Sequence, residues 1–267
     1  MKKILITGST DGIGKLTAIK LAKEGHQLLL HGRNAEKLKI TISEIKEKTT
    51  NNNVSGFVSD FSDANSVKKM IAEISSEFSS IDILINNAGV LKSQLQKNQD
   101  DLDLRFAVNY FAPYLLTNGL LPVIKNSNSP RVINLSSAAQ STVSMGALAG
   151  TEEISNNAAY AQSKLALTMW SFNFAKENGN IVTIAVNPGS LLNTRMANEA
   201  YGQHWSPAEK GADILYELAL STNHNKNSGK YFDNDKGVFS EAHNDAYNQM
   251  KINELLAQTN QILNYDN

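Results

Sequence analysis

Tyr160 and Lys164 stand four residues apart in a stretch, about 157–178, whose apolar spacing predicts a helix. One helical turn puts both side chains on the same face. A phenol ionises near pH ~10 and is a poor acid–base group at neutrality, but an adjacent ammonium favours the phenolate. The pair therefore suits proton transfer to or from an alcohol oxygen, although Tyr-x3-Lys alone is also ordinary helix-surface chemistry. A second motif, Thr7-Gly8-Ser9-Thr10-Asp11-Gly12-Ile13-Gly14, follows a short apolar run and opens a helical stretch. Glycines at such a handover let backbone amides approach a pyrophosphate, which rests on the positive end of the helix. The spacing, Gly-x3-Gly-x-Gly, differs by one residue from Gly-x-Gly-x-x-Gly. Leu16 follows Lys15 where a P-loop needs a hydroxyl. Farther on, His31-Gly32-Arg33-Asn34 carries no carboxylate before Glu36. A carboxylate there would hold an adenosine ribose, whereas Arg33 can pair bidentately with a ribose phosphate, so the segment favours NADP(H) over NAD(H). The plainer reading makes Arg33 a solvated loop residue and His31 a strand-end residue.

The composition narrows the chemistry further. The chain has 267 residues, 25 Lys+Arg against 26 Asp+Glu, a net charge of -1 and no cysteine. Thiolate zinc sites, iron–sulfur clusters, disulfides and cysteine nucleophiles are excluded together. The five histidines, at 26, 31, 204, 224 and 243, show no helical pairing with a carboxylate, and no metal is expected. No polybasic run exists to release counterions from nucleic acid, and no window supplies the roughly 20 apolar residues of a membrane span. A cytoplasmic address is the default expectation.

The elements that must position these motifs alternate along the chain. Strand signals fall at 3–7, 27–31, 54–59, 81–86, 131–136, 181–187 and 230–233. Helical signals fall after Gly14 (Leu16, Ile19, Leu21, Ala22), then at about 34–49, 63–78, 101–125, 157–178, 207–221 and 241–264. Ser206 is the expected cap of the 207–221 helix, with Pro207 at its first position. Strands 4–6 and 81–86 are apolar on both faces, as a parallel sheet covered by helices requires. The pattern predicts a three-layer α/β, doubly wound parallel sheet with helices on both faces, one domain over 1–267.

Taken together, the chain resembles the short-chain dehydrogenase/reductase family. The matching residues are Thr7 to Gly14, Asp60, Asn86-Asn87-Ala88-Gly89, Asn109, Ser136-Ser137, Tyr160 to Lys164, and Pro188-Gly189 with Thr194, in family order; Ser228-Gly229-Lys230-Tyr231-Phe232 extends the likeness. The long interval from Ser137 to Tyr160 and the presence of Gln162 look like the retinol-dehydrogenase and WW-domain-oxidoreductase branch. The resemblance implies a Rossmann-type fold and an oxidoreductase transferring hydride between NADP(H) and a small-molecule carbonyl or alcohol. It makes Tyr160 the general acid/base, with Lys164 lowering its pKa and holding the nicotinamide ribose. Ser137 rather than Ser136 would hold the substrate oxygen, and Asn109 a water leading to Lys164. Gly8, Ser9, Thr10, Asp11, Gly12, Ile13 and Gly14 would bind the cofactor, as would Arg33, Asn34, Asp60 and Phe61. Asn87, Ala88 and Gly89 would line its adenosine side, and Pro188, Gly189, Leu191 and Thr194 the nicotinamide. The family leans towards homodimers or homotetramers.

Each assignment has a plainer counterpart: Asn109 could cap or bend its helix, with Pro113 a competing cause, and Ser137 could satisfy backbone groups beyond a strand. Substrate selection falls to residues 91–100, 138–156 and 190–206, where Val143, Met145, Ala147, Leu148, Leu191, Leu192, Met196, Tyr201 and Trp205 suggest an apolar lining and a lipophilic substrate; packing of a lid is the counterpart. Two other functions share the motifs: a non-catalytic NADP-binding regulatory protein, and a carbon–carbon double-bond reductase. The joint presence of Ser137, Tyr160 and Lys164 weighs against the first.

Overall fold

A computed structural model describes residues 1–264. Its centre is one eight-stranded sheet in the order β3-β2-β1-β4-β5-β6-β7-β8. The strands are β1 (Lys3–Ile6), β2 (Gln27–Gly32), β3 (Val54–Val58), β4 (Ile83–Asn86), β5 (Arg131–Leu135), β6 (Val182–Asn187), β7 (Lys230–Asp233) and β8 (Val238–Ser240). The first seven run parallel, and β8 pairs antiparallel with β7.

Strand alternation explains why the strands read as apolar on both faces. Ile4 and Ile6 enter one core with Leu28, Leu30, Ile83, Ile85, Leu215 and Leu218, while Leu5, between them, enters the opposite core with Leu29, Leu84, Val132, Phe106 and Trp170. The first core packs α1 (Gly12–Lys23), α2 (Ala35–Thr49) and α10 (Ala208–Leu220) on the sheet. The second packs α3 (Ala64–Glu77), the helical segment around α4 (Leu104–Phe106), α5 (Ala112–Gly119) and α6 (Leu121–Lys125), the helix α8 (Asn156–Glu177), and the C-terminal helix α11 (Gln249–Leu263). Short helices α7 (Met145–Leu148) and α9 (Arg195–Tyr201) lie within two of the three expected substrate loops. From Ser163 to Ser171 every residue of α8 is buried. Such a helix is held on all sides.

Three expectations need correction. The helix expected over 101–125 is broken: a π-helical turn covers Ala107–Phe111 between α4 and α5, and Leu120 separates α5 from α6. Pro113 and Pro122 have no N–H to donate, so the carbonyls of Asn109 and Asn118 lose their α-helical partners. Ser206 does not cap α10; Pro207 takes the cap position, while the Ser206 carbonyl accepts from Asn193 N–H. The region 241–264 is not one helix: it begins after β8, makes a 3-10 turn at Asn244–Tyr247, and becomes helical only at Gln249, capped by Asn248. Among the described residues, no helix is long and apolar enough to cross a membrane.

Candidate active site

The carboxyl ends of the parallel strands gather the motifs at the switch point between β1 and β4. Gly8 and Gly12 have φ of +62° and +49°, a conformation that costs an L side chain roughly 1–2 kcal/mol. A Cβ on Gly8 would lie 2.8 Å from the Ala88 Cα, and one on Gly14 would lie 2.4 Å from Asn87 Nδ2 and 2.5 Å from the Gly8 oxygen. The contact with the 87–89 turn is specific. Asn87 Nδ2 donates to the Thr7 and Gly8 carbonyls at 2.7 and 2.9 Å, while Thr7 Oγ1 accepts from the Asn87 and Ala88 amides at 3.0 Å. Asp11 caps α1 by accepting from Gly12 N–H at 2.8 Å.

His31, near the end of β2, is buried and tied to two other segments. Its Nδ1 accepts from the Gly8 amide at 3.1 Å, which leaves Nε2 to donate to the Ser59 carbonyl at 2.9 Å. Phe61 stacks on it with ring centroids 4.0 Å apart. Burial pulls the imidazole pKa down to about 4, so it remains neutral. The buried Phe61 ring is committed to this packing. Arg33 is exposed just beyond β2. The Asn34 side chain caps α2 by accepting from Lys37 N–H, and Lys37 Nζ reaches Asp11 at 2.7 Å. Lys37 was missed in the sequence, since nothing in its spacing shows that α2 leans on the glycine turn. Asp60 accepts from the Ser62 amide and hydroxyl.

Asn109 sits inside the π turn, a distortion frequent at functional sites. Its side chain pairs with both backbone groups of Val90, accepting from N–H at 2.8 Å and donating to the carbonyl at 3.0 Å, and it also donates to Ser163 Oγ. Ser163 in turn donates to the Tyr160 carbonyl at 2.7 Å. Lys164 is buried with its ammonium 2.7 Å from the Leu135 carbonyl and 5.6 Å from the Tyr160 ring centroid. Desolvation lowers its pKa to about 8. A Cβ at Gly89 would fall 3.3 Å from Asn109 Oδ1, 3.5 Å from Lys164 Nζ and 3.6 Å from Met196 Cε, so these groups surround one point.

The two serines after β5 differ. Ser136 is buried and bonded to Thr168 at 2.6 Å; Ser137 is half-buried, with Oγ accepting from Ala139 N–H at 3.1 Å. Gln162 secures the long insert by accepting from Ser144 N–H at 2.9 Å. Of the expected apolar lining, Ala147 and Leu148 belong to the core, while Val143 and Met145 are only partly buried against it; Trp205 is exposed, and the Tyr201 side chain lies outside the described residues. Thr194 caps α9, and its methyl would be 3.5 Å from a Cβ on Gly12, so it faces the glycine turn across the cleft. The Pro188–Gly189–Ser190 turn is braced from the turn after β7: Asn234 Nδ2 donates to the Pro188 carbonyl at 2.8 Å and Asp235 accepts from Ser190 N–H at 2.8 Å. Leu191 adopts φ +44°, an unusual conformation for a branched side chain.

Comparison with known proteins is consistent with this arrangement. The chain is 36% identical over 200 residues to human polyprenol dehydrogenase, a match covering 71% of this chain and 60% of that protein. It is 32% identical over 250 residues to mouse retinol dehydrogenase 12, covering 89% and 79%. A short-chain dehydrogenase of Escherichia coli solved in complex with NADPH superposes with a TM-score of 0.73 at 25% identity, covering 87% of this chain and 96% of that one. The chain thus spans about three-fifths of the polyprenol dehydrogenase. The short chain dehydrogenase profile matches residues 2–204, and the chain belongs to that family.

Proposed function

We propose that the chain interconverts a carbonyl and an alcohol with NADP(H) as its hydride carrier. The observation that carries this reading is the buried Lys164 ammonium, held against the Leu135 carbonyl one helical turn from Tyr160 and at the strand end that leads to Ser137. In reduction, Tyr160 gives its phenolic proton to the substrate oxygen; in oxidation it takes the proton back. Lys164, positive at neutral pH, favours the phenolate. The Ser137 hydroxyl donates to the same oxygen and stabilises charge as it develops there. Asn109 holds the Val90 main chain in place beside Lys164.

The chain's own residues fit a dinucleotide. The approach distances at Gly8 and Gly14 seat the glycine turn against Asn87 and Ala88 with no room for side chains, which fixes the backbone that would face the ligand. The glycine turn and the start of α1 would hold the pyrophosphate, and Arg33 with Lys37 a ribose phosphate. Asp60 and Asn87 to Gly89 would border the adenosine, with Pro188, Gly189, Leu191 and Thr194 at the nicotinamide. When bound, the cofactor supplies or accepts the hydride. Met196 beside Gly89, with Val143 and Met145 on the insert, favours a lipophilic substrate; the names of the polyprenol and retinol dehydrogenase relatives agree with that class.

The test is a panel of decanal, all-trans-retinal and acetophenone, followed by nicotinamide absorbance with NADPH and NADH. Tyr160→Phe is expected to abolish turnover while leaving NADPH affinity within about twofold, because the phenol moves a proton and contributes little to binding. A Tyr160→Phe protein that reduces these carbonyls at the parent rate refutes the mechanism.

A further inference from the structure

The family match ends at residue 204, yet the main chain of Ser137 is held from beyond that point. Tyr231, in the middle of β7, is buried, and its hydroxyl donates to the Ser137 carbonyl at 3.0 Å. Gln140 Nε2 donates to the same carbonyl at 2.9 Å. The Gln140 carbonyl oxygen, Oε1, accepts from the His243 amide at 3.1 Å. One peptide oxygen thus receives two donors, and one of these is itself aimed by the segment that follows β8.

Resting on the reading of Ser137 as the group that holds the substrate oxygen, we propose that Tyr231 and Gln140 are positioning residues that fix the Ser137 peptide, and that residues 241–247 complete this frame. Strand alternation supplies the geometry. Phe232 enters the core beneath α10, so Tyr231 projects to the opposite face, where β5 ends and α8 packs. Antiparallel pairing of Tyr231 with Ser240 then delivers the chain after β8 to Gln140. Burial and the nearby Asp233 and Asp235 carboxylates raise the Tyr231 pKa, so its hydroxyl stays a donor across the working pH range. A serine that must donate to a developing negative charge gains from a peptide that cannot rotate: catalysis depends on near-ångström placement. Both donors engage the Ser137 carbonyl and not its hydroxyl.

Tyr231→Phe keeps the ring and removes one donor; Gln140→Leu removes the other together with the link to His243. Hydrogen–deuterium exchange of residues 136–142 reads the clamp without any substrate, and both variants are expected to exchange faster there while the sheet is unchanged. With NADPH and the best carbonyl of the panel above, kcat is expected to fall about three- to tenfold, the scale of one net hydrogen bond, with NADPH affinity unmoved. In a Ser137→Ala background the same substitutions should cost nothing further, because residues acting through one group are not additive. An equal loss in both backgrounds, or parent-like exchange and turnover in both single variants, overturns the proposal. Full turnover of Ser137→Ala alone instead overturns the role of Ser137, while the exchange measurement still decides whether the clamp holds the turn.

Discussion

The buried Lys164 carries a consequence for stability that can be separated from its chemistry. Its pKa falls from the ordinary 10.5 to about 8, by desolvation. That difference corresponds to about 3 kcal/mol by which folding disfavours the charged form below pH ~8. Lys164→Met keeps the aliphatic length and removes the charge. It also strips the Leu135 carbonyl of its donor, a loss of about 1 kcal/mol. At pH 7 the variant should therefore be more stable than the parent by about 2 kcal/mol, or roughly 5 °C in Tm for a chain of this size. Between about pH 8 and 10.5 the unfolded parent binds the Lys164 proton that the folded parent has released, so parent stability rises with pH from this site. The variant lacks that rise. Its advantage should shrink above pH ~8 and reverse by pH ~10, while its turnover is lost at every pH. Urea unfolding of both proteins at pH 7 and pH 10 measures the difference, with all other titrations common to both. A variant less stable at pH 7, or a gap constant across this interval, refutes the account of Lys164 as a charge buried at the fold's expense.

Other substitutions probe the rest of the site. Gly14→Ala sits in ordinary helical conformation, where alanine would gain about 1 kcal/mol, but its Cβ meets Asn87 Nδ2 and the Gly8 oxygen at 2.4 and 2.5 Å. Opening those contacts breaks the Asn87 bonds to Thr7 and Gly8, so net destabilisation of about 1–2 kcal/mol and a cofactor affinity down by one to two orders of magnitude are expected in calorimetric NADPH titrations; unchanged affinity would clear Gly14 of this role. Arg33→Asp should move preference towards NADH by about tenfold or more, measured as the ratio of kcat/KM values, and an unaltered ratio would remove Arg33 from cofactor selection. Asn109→Leu deprives both Val90 backbone groups of their partners, and should lower stability by about 2–4 kcal/mol and kcat more than the NADPH Kd. Parent-like unfolding would contradict the bonding assigned to Asn109.

The sequence by itself determined the fold class, because alternating strand and helix periods and doubly apolar strands such as Ile4–Ile6 admit little but a covered parallel sheet. It also determined which residues stand at the strand ends, since Asn86 follows an apolar run directly and Gly8 and Ser137 follow theirs after one hydroxyl residue. In the sequence Ser136 and Ser137 differ only in their count after β5; the fold buries Ser136 against Thr168 and leaves Ser137 half-buried. What only the tertiary structure decided are the relations between segments remote in the chain. His31 reads as a strand-end residue until β3 and the glycine turn close on both of its nitrogens. Lys37 carries no signal in the sequence; only the packing of α2 brings its ammonium to Asp11. The 241–264 region reads as one helix because its polar composition has helical spacing, yet β7 leaves an open sheet edge, and pairing that edge with β8 redirected the chain towards Gln140. Local periodicity reports how a segment meets its nearest surface; it carries no information about a hydrogen bond between residues a hundred positions apart, which exists only once the sheet has set their distance.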